Sequence, residues 1–565
     1  MSHYKPDPDK NVNLTIDGMP VTVPEGTTIL EAARKVNIRI PSLCDHPDLC
    51  KRAVCRLCVV ECDGRAKLLA ACANDAGEGM SVVTNNERIL NIRKTILELI
   101  LANHPPECLK CARSKKCELQ SLAASFGIRE SPFRRDMAVP RPIETAGETI
   151  VRDMSKCVKC GRCVEVCQEL QSARAINTSH RGVNYEICTP YGQALEDGPC
   201  IFCGQCAMVC PVGAIYGHEN TAGVWAALSD SEQCVVAQIS PSMRTALNNE
   251  LDLPPETITS GKMISALKIL GFDMVLDAGY FMDLAIMEKG RELLERIKSS
   301  DSVEKPKLEN QRIENQRIEN PILPMISVCT SGLIKFLKNS YGDLLDHLSP
   351  ARSPQQNFGA FIKENYPQVS GVARSKITTV SFETCIAKKY EPQLSLAKES
   401  KADGQPPDLD FVLTTRELAG MVRLSGIDFD NLPESPFDGV KPENVKSDGD
   451  KPVSLTGTYD SEPASGSIMG ALLRWVYEAY TGETLAPACF RESRQGIKET
   501  EIDLNETKVK FLVVNGLANA RIVLDAVRIG VCSAAFIEIM NCPGCEINSG
   551  CETDSGCTDN GKLKQ

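Results

Sequence analysis

C-V-K-C-G-R-C-V-E-V-C at residues 157–167 and C-I-F-C-G-Q-C-A-M-V-C-P at residues 200–211 are two runs of one cysteine pattern. In each run the cysteines are separated by two, two and three residues, and a proline follows the second run. This spacing is typical of domains that hold two [4Fe–4S] clusters, because three cysteines of a run bind one cluster and the fourth binds the other. A pair of zinc knuckles is the alternative, which the three-residue stepping disfavours. The predicted ligands are Cys157, Cys160, Cys163 and Cys210 for one cluster and Cys200, Cys203, Cys206 and Cys167 for the other.

The composition indicates a reducing compartment and excludes some partners. The chain has 565 residues, 27 cysteines and a net charge of −11. No basic and apolar leader opens the sequence, so we expect a cytoplasmic protein whose closely spaced cysteines bind metal rather than form disulfides. No apolar run reaches the length of a membrane span. The acidic balance and an aromatic content of 5% disfavour nucleic acid as a partner.

The N-terminal region is predicted to hold a [2Fe–2S] cluster. Val12–Val23 reads as a hairpin that turns at Asp17-Gly18, and Thr28–Val36 reads as a helix capped by Thr27 or Thr28. The segment I-P-S-L-C-D-H-P-D-L-C at residues 40–50 resembles the β-grasp domain shared by complex I large subunits and [FeFe]-hydrogenases. That resemblance implies three ligands in one loop and one distant ligand: Cys44, Cys55, Cys58 and Cys72. Cys50 and Cys62 fall outside this set and are interpreted as structural thiols.

A histidine precedes the next group of cysteines, in N-H-P-P-E-C-L-K-C-A-R-S-K-K-C at residues 103–117. Most lone histidines are surface or core residues, but only three residues separate this one from a CxxC pair. The stretch resembles the one-histidine, three-cysteine [4Fe–4S] module of the same two families. The implied ligands are His104, Cys108, Cys111 and Cys117. A neutral imidazole in place of a thiolate is expected to raise the reduction potential of this site.

Four clusters within about 225 residues predict an electron relay rather than a self-contained redox catalyst. Ser131–Val151, with its prolines and charges, is interpreted as a connector into the two-cluster domain.

From Ser231 onward the pattern becomes α/β, with a strand, a helix and a strand from Lys508 to Met540 that predict parallel pairing. Two stretches are predicted to be surface insertions: Leu308–Pro321, which repeats Q-R-I-E-N, and Pro433–Gly466, rich in Pro, Asp, Ser and Gly.

Several segments of the second half resemble the catalytic domain of [FeFe]-hydrogenases, among them S-P-Q-Q-N-F-G-A at residues 353–360, L-T-T-R-E-L-A at 413–419, N-G-L-A-N-A-R at 515–521 and I-E-I-M-N-C-P-G-C at 537–545. This resemblance implies two parallel-sheet lobes around a buried H-cluster. The H-cluster is a [4Fe–4S] unit on four cysteines, one of which also bridges to a two-iron unit carrying CO and cyanide. We therefore expect a multidomain α+β and α/β chain with four parts. These are a β-grasp [2Fe–2S] domain (1–85), a one-histidine/three-cysteine [4Fe–4S] module (86–130), a two-cluster ferredoxin domain (131–225) and an [FeFe]-hydrogenase-like two-lobed α/β domain (226–565).

The first two H-cluster segments of the family are only partly kept. Against P-M-F-T-S-C-C-P, the chain has Cys329 at the proton-donor position but Thr330 at the iron-ligand position. Against M-P-C-x-x-K-K-x-E, it keeps the ligand Cys385 and the cyanide-facing Lys388. The methionine two residues before that cysteine is replaced by Glu383, a carboxylate beside the position of the two-iron unit.

The third segment, M-A-C-P-G-G-C in the family, keeps the ligand Cys542 but has Glu546 at the bridging position, with Cys545 one residue earlier. Two of the four ligand positions are thus not cysteine, and a mature H-cluster is not expected. We hypothesise that an ordinary [4Fe–4S] cluster remains. The alternatives left open are a local cluster or zinc site at the C-terminus and thiols without metal. The hypothesised ligands are Cys329, Cys385, Cys542 and Cys545; those of the local site would be Cys542, Cys545, Cys551 and Cys557.

The proton path of the family also changes. Family members carry glutamates on the helix after I-M, where this chain has Met287-Glu288-Lys289-Gly290-Arg291-Glu292. In the preferred register Lys289 replaces one carboxylate. We assign no catalytic residue, we expect no hydrogenase activity, and we give no role to the isolated cysteines, which are Cys188, Cys234, Cys489 and Cys532.

The favoured function is an electron-transfer subunit that resembles the hydrogenase-like large subunits of flavin-based NAD(P)H-oxidising complexes, some of which bifurcate electrons between nicotinamide and ferredoxin. The sequence has no G-x-G-x-x-G fingerprint between a strand and a helix and no P-loop, so FMN and NAD(P)H are expected on a partner subunit. The resemblance also implies a small thioredoxin-like [2Fe–2S] subunit and ferredoxin as partners. A formate dehydrogenase or another terminal oxidoreductase follows by analogy.

Three other functions stay open. A divergent [FeFe]-hydrogenase or hydrogen sensor could hold a modified H-cluster on the displaced cysteines. A complex I-like large subunit would share the first half, but the second half resembles hydrogenases. A scaffold related to cytosolic iron–sulfur assembly factors would not need the full relay upstream.

Overall fold

The computed structural model of the protein describes residues 10–63, 67–133, 142–254, 257–301, 322–393, 407–439, 468–485, 490–504 and 507–541. The N-terminal region is a five-stranded sheet with one helix packed against it. Its elements are β1 (Asn11–Ile16), β2 (Met19–Pro24), α1 (Ile29–Lys35), β3 (Val59–Cys62), β4 (Leu69–Ala70) and β5 (Ser81–Val83). The strand order is β2-β1-β5-β3-β4.

Local sequence signals account for the start of this sheet. The predicted hairpin is confirmed: β1 and β2 pair antiparallel across Asp17 and Gly18, which both take positive φ (49° and 80°). The predicted helix is also confirmed. Thr28 caps it, since its hydroxyl accepts a hydrogen bond from the Glu31 N–H and the Glu31 carboxylate accepts one from the Thr28 N–H.

The middle of the chain is built from short elements around the cysteines. They are α2 (Glu87–Ala102), α3 (Glu118–Ser125), β6 (Glu144–Ala146), β7 (Ile150–Arg152), α4 (Arg162–Glu165), β8 (Asn177–Ser179), β9 (Glu186–Cys188), α5 (Gln205–Met208) and β10 (Ile215–Gly217). Strands β10, β7 and β6 form one sheet, and β8 pairs with β9. The prediction of a connector over Ser131–Val151 is wrong at its C-terminal end, because β6 and β7 pair across a tight loop. Gly147 and Glu148 form that loop with positive φ (55° and 47°), so this glycine marks a turn within a segment rich in charged residues.

The C-terminal half contains two separate sheets with helices against them. Its elements are α6 (Thr221–Ser229), β11 (Cys234–Ile239), α7 (Met243–Glu250), α8 (Ser260–Leu270), β12 (Met274–Asp277), α9 (Ala278–Asp301), β13 (Met325–Val328), α10 (Ser331–Ser340), α11 (Pro354–Ser370), β14 (Ile377–Glu383), β15 (Phe411–Thr414), α12 (Thr415–Leu424), α13 (Ile468–Thr481), β16 (Arg491–Arg494), β17 (Ile497–Leu504), β18 (Thr507–Asn515), α14 (Leu517–Arg528) and β19 (Phe536–Met540).

One sheet, ordered β12-β11-β14-β15, is parallel throughout. The other is ordered β13-β19-β18-β17-β16, and its first three strands are parallel. The predicted parallel pairing of the strands before and after α14 is therefore confirmed. In parallel sheets the loops at the carboxyl ends of the strands gather at one edge, where ligands usually bind. Cys329, Cys385 and Asn541 all lie just beyond such strand ends, those of β13, β14 and β19.

The two predicted insertions lie mostly outside the described residues. Leu308–Pro321 falls outside them entirely, and so does 440–466 of the second insertion. Residues 433–439 are described and form neither helix nor strand. In the part of the chain that the structure describes, no helix has the length and apolar character that crossing a membrane requires.

Candidate metal centres

The four cysteines predicted for the [2Fe–2S] cluster lie together beside the N-terminal sheet. The Sγ atoms of Cys44 and Cys55 are 3.4 Å apart, and the thiol of Cys72 is hydrogen-bonded to those of Cys44 and Cys58. Hydrogen bonds from Cys55 and Cys72 lower the pKa of Cys44 to about 2, whereas the bond to Cys44 raises the pKa of Cys55. The thiols thus share protons that bound iron would displace, because iron binds the thiolate form. Cys62 is buried in β3 and belongs to the core of this domain.

The structure brings the fourth cysteine of each run close to cysteines of the other run. One small cavity is lined by Cys167 together with Cys200, Cys203 and Cys206. Burial raises the pKa of Cys157 to about 11 and that of Cys160 to about 12, and the neighbouring Cys210 raises both further. Burial makes the largest contribution to these raised pKa values, because a thiolate without a positively charged partner is unfavourable away from water. Iron would supply that partner.

The histidine and three cysteines of the next module also line a single small cavity. This cavity contains His104, Cys108, Cys111 and Cys117. The module lies directly against the loop that follows Cys210. A Cβ atom at Gly213 in that loop would stand 2.3 Å from the Cys111 Sγ, so only glycine permits this approach.

Charged side chains hold the three cluster-bearing regions against one another. Arg162 of α4 donates two hydrogen bonds, of 2.5 and 2.9 Å, to the carboxylate of Glu118 at the start of α3. Arg52, in the loop between Cys44 and Cys55, pairs with Glu165 of α4. The guanidinium of Arg113 donates to the carbonyl of Ala207 at 2.6 Å. Bidentate and charge-assisted bonds of this kind fix orientation as well as contact.

Among the described residues, no group of three or more His, Cys, Asp or Glu side chains is arranged for a single metal ion.

The second candidate region lies at the strand ends of the C-terminal half. The Cys329 Sγ accepts a hydrogen bond from the Asn541 N–H at 3.4 Å, and the Asn541 side-chain amide donates to the Thr330 hydroxyl at 2.6 Å. The residue immediately before Cys542 is thereby fixed beside Cys329. Cys542, Cys545, Cys551 and Cys557 lie outside the described residues, and so does Cys489.

Lys388 lies between the two described cysteines of this region. Burial lowers the pKa of Lys388, but the charges of Glu391 and Glu383 and of the thiols of Cys329 and Cys385 outweigh burial and raise it. Its ammonium lies 3.2 Å from the Glu391 carboxylate.

The S-P-Q-Q motif supports that carboxylate. Ser353 and Gln355, at the start of α11, donate hydrogen bonds to the Glu391 carboxylate at 2.6 and 2.5 Å. The motif therefore positions the partner of Lys388, a role that the sequence pattern alone did not reveal.

Two residues that depart from the family face the same region. Lys289 of α9 is buried, and its ammonium donates to the Ser327 hydroxyl at 2.9 Å. Burial lowers the pKa of Lys289, opposed by the charges of Glu538 and Cys329. Burial raises the pKa of Glu383 to about 7.

The described residues do not fit an H-cluster. The iron-ligand position of the first H-cluster segment is occupied by Thr330, a buried hydroxyl hydrogen-bonded to Asn541. Iron in such clusters is held by soft thiolate ligands, which a threonine cannot supply. A buried carboxylate, that of Glu383, stands where an apolar side chain would border the two-iron unit.

The loop of Cys200 and Cys203 is in direct contact with the C-terminal region, a contact that is not among the predictions from the sequence. A Cβ atom at Gly204, next to Cys203, would stand 1.9 Å from the Ile386 side chain, which follows Cys385. The rings of Phe202 and Tyr390 have centroids 4.3 Å apart. Gly161 and Gly204, which follow the first CxxC of each four-cysteine run, are the sequence signal of such a close approach.

Comparisons with known proteins agree with this arrangement. Four family models match in order: "2Fe-2S iron-sulfur cluster binding domain" (9–87), "NADH-ubiquinone oxidoreductase-G iron-sulfur binding region" (93–132), "NADH-quinone oxidoreductase subunit 3, ferredoxin-like domain" (147–216) and "Iron only hydrogenase large subunit, C-terminal domain" (233–550). The last model covers more than half of the chain.

The most similar relatives include two hydrogenase proteins. "NADP-reducing hydrogenase subunit HndD" of Solidesulfovibrio fructosivorans is 39% identical, over 95% of this chain and 88% of that protein. "Iron hydrogenase 1" of Clostridium pasteurianum is 30% identical over the same shares. "NADPH-Fe(3+) oxidoreductase subunit alpha" of Geobacter sulfurreducens is 35% identical over 36% of this chain and 24% of that protein. A solved [FeFe]-hydrogenase from Chlamydomonas reinhardtii is 28% identical over 59% of this chain and 84% of that chain, with a TM-score of 0.49.

The chain thus combines a [2Fe–2S] domain and [4Fe–4S] ferredoxin-like domains with a hydrogenase-like C-terminal domain. Its matches to the family model and to HndD each extend over most of the chain. It belongs to the iron-only hydrogenase large-subunit family.

Proposed function

We propose that the chain is an iron–sulfur electron-transfer subunit of an NAD(P)H-linked oxidoreductase complex, and that it does not itself produce or consume hydrogen. One observation carries the proposal: the segments that carry the predicted ligand sets contact one another in series, from the loop between Cys44 and Cys55 to Ile386, the residue after Cys385. Clusters bound at these sets would supply one-electron oxidation and reduction. The protein buries or half-buries all eight thiols of the two-cluster domain, which limits the access of water to them.

Each junction along this path rests on close packing. Arg52 joins the loop of the predicted [2Fe–2S] ligands to α4, and Arg162 of α4 joins that helix to the histidine module. Gly213 allows Cys111 of the histidine module to lie against the loop that follows Cys210. Gly204 then admits Ile386, the residue after Cys385. Within the described residues the path ends at Cys329, Cys385 and Lys388. We propose that these two cysteines, with Cys542 and Cys545, hold a further [4Fe–4S] cluster.

The partners follow from what the chain lacks in its sequence and from its relatives. Two relatives are named as subunits of NADP-reducing and NADPH-oxidising enzymes. FMN and NAD(P)H are therefore assigned to a flavoprotein subunit, with a small thioredoxin-like [2Fe–2S] subunit beside it. Ferredoxin, and a formate dehydrogenase or another terminal oxidoreductase, complete the proposed set. Electron bifurcation between nicotinamide and ferredoxin fits this set.

Iron analysis and EPR of the purified complex test this function. We expect one [2Fe–2S] and at least three [4Fe–4S] clusters on this chain, all reducible by NADH or NADPH when the flavoprotein is present. The same chain without the flavoprotein should be reduced by dithionite but not by nicotinamide. Fewer than three [4Fe–4S] clusters in fully reconstituted protein, or direct reduction of the isolated chain by NAD(P)H, would contradict the proposal.

A second function, that of a divergent hydrogenase or hydrogen sensor, is favoured by Cys329, Cys385 and Lys388, which the family also has at these positions. Infrared spectroscopy separates the two functions. Because Thr330 and Glu546 replace thiolate ligands, protein matured beside a working homologue is expected to show no bands from iron-bound CO or cyanide. The homologue itself, produced in the same cells, is the positive control. Bands of normal intensity in this chain would establish an H-cluster and overturn the electron-transfer reading of its C-terminal half.

A further inference from the structure

A broad cleft separates the N-terminal sheet from the start of the C-terminal half. Its volume is about 1470 Å³, and its walls come from the end of α1, from α2, from the histidine module with α3, and from the turn after α7. Three regions that are distant in sequence therefore share this surface.

The cleft is basic in a chain that is acidic. Its lining includes seven Lys or Arg and four Asp or Glu side chains, a local excess of three positive charges against −11 for the whole chain. Three of the four acids are neutralised within the fold. Asp45 pairs with Arg34, Glu118 with Arg162 and Glu250 with Lys116.

The remaining positive charge faces outward. Arg39, Lys94 and Lys115 are exposed, and none makes an ion pair with another described residue. They sit on three different walls of the cleft. Two of the lining acids are exposed, Glu118 and Asp252, and Glu118 is paired with Arg162. Unpaired cations on converging walls create a field that attracts a negatively charged surface.

The cleft leads to two of the predicted clusters. Cys117, a predicted ligand in the histidine module, is itself a lining residue. Asp45, which follows the predicted ligand Cys44, is another. A molecule seated here would contact the protein at the first two cluster sites of the relay.

The size and chemistry of the cleft fit a protein better than a nucleotide. Small-molecule sites usually measure about 300–1,000 Å³ and are lined mainly by apolar and aromatic groups. This cleft is larger, is lined by charged side chains from every wall, and has one aromatic lining residue, Phe126.

We propose that this cleft docks the acidic face of a small ferredoxin-type electron carrier. The proposal rests on the proposed electron-transfer function and names where one of its partners binds. In the step it serves, one electron leaves the iron–sulfur centre of the reduced carrier and one iron–sulfur centre of this chain is reduced. No bond forms and no proton moves.

Binding of an oxidised, acidic 2[4Fe–4S] ferredoxin to the assembled complex tests the proposal without depending on turnover. Calorimetry is performed at about 20 mM and about 200 mM ionic strength, where surface charges are weakly and strongly screened. The wild-type complex is expected to lose about tenfold in affinity over this range. The variant R39Q/K94Q/K115Q should bind about tenfold more weakly at low salt and should lose most of the salt dependence. The matched control is K338Q/R494Q/K508Q, which removes three exposed charges from the C-terminal half and should bind within about twofold of wild type.

Equal weakening by both triple variants would show that only total charge matters and would overturn the proposal. So would unchanged binding by the cleft variant, competition by millimolar NADH or NADPH, or failure of that variant to assemble with the flavoprotein while ferredoxin binding persists. Cluster content and dithionite reduction are measured on every sample. Intact clusters with no ferredoxin binding would refute the docking site alone, whereas missing clusters would refute the proposed function.

Discussion

Cys210→Ser is expected to destroy the cluster predicted on Cys157, Cys160 and Cys163, although Cys210 belongs to the other cysteine run. The structure groups Cys210 with those three thiols, whose pKa values it raises in addition to burial. Serine offers a hard, normally protonated oxygen in place of a soft thiolate, so iron is held poorly. The protein should lose about four iron atoms per chain and one [4Fe–4S] EPR signal. Reduction of the sites beyond this point, with NADH and the flavoprotein present, should stop.

Two further variants test the assignment of Cys210: the reciprocal substitution in the first run, and a control substitution of a cysteine outside every predicted ligand set. Cys167→Ser should remove the cluster predicted on the second run and leave that of the first run. Cys188→Ser, in β9 and outside every predicted set, should keep the full iron content and the full EPR spectrum. If Cys210→Ser removed the cluster of its own run instead, the crossed ligand assignment would be wrong.

The cluster sites of the first half were predictable because their ligands are close in sequence. The distances between cysteines in a run limit which cluster can form before any tertiary contact is known. The crossed fourth ligands needed only that general pattern. The hairpin at Asp17-Gly18 and the capping box at Thr28 likewise depend on a few adjacent residues.

The C-terminal region was less predictable because parallel strands bring its residues together from distant segments. The hydrogen bonds from Asn541 to Cys329 and Thr330 join the ends of β19 and β13, which are separated by about 200 residues. The inward position of Lys289 depends on how α9 packs, and the periodicity of a helix does not specify its partners. The resemblance to [FeFe]-hydrogenases predicted which positions lie in this region, whereas the contacts between their side chains are visible only in the structure.

The junction between the two-cluster domain and the C-terminal half depends on the second residue of α10. A Cβ atom at Gly332 would stand 1.8 Å from the carbonyl oxygen of Ile201, which lies between the predicted ligands Cys200 and Cys203. Because the obstacle is backbone, it cannot rotate away, so Gly332→Ala must push the two regions apart.

Gly332→Ala is therefore expected to destabilise the chain by about 3 kcal/mol or more, the upper range for overpacked cores. Thermal unfolding should begin several degrees lower, and the iron content of the adjacent cluster should fall with it. Gly420→Ala is the matched control, since Gly420 also lies in a helix, α12, but its Cβ would meet no atom within 4 Å. There alanine should leave stability unchanged or raise it by up to about 1 kcal/mol, because it favours the helix more than glycine does. If both variants unfolded at the same temperature with full iron content, α10 would not pack against the Cys200–Cys203 loop, and the junction between the two-cluster domain and the C-terminal half would lose one of its contacts.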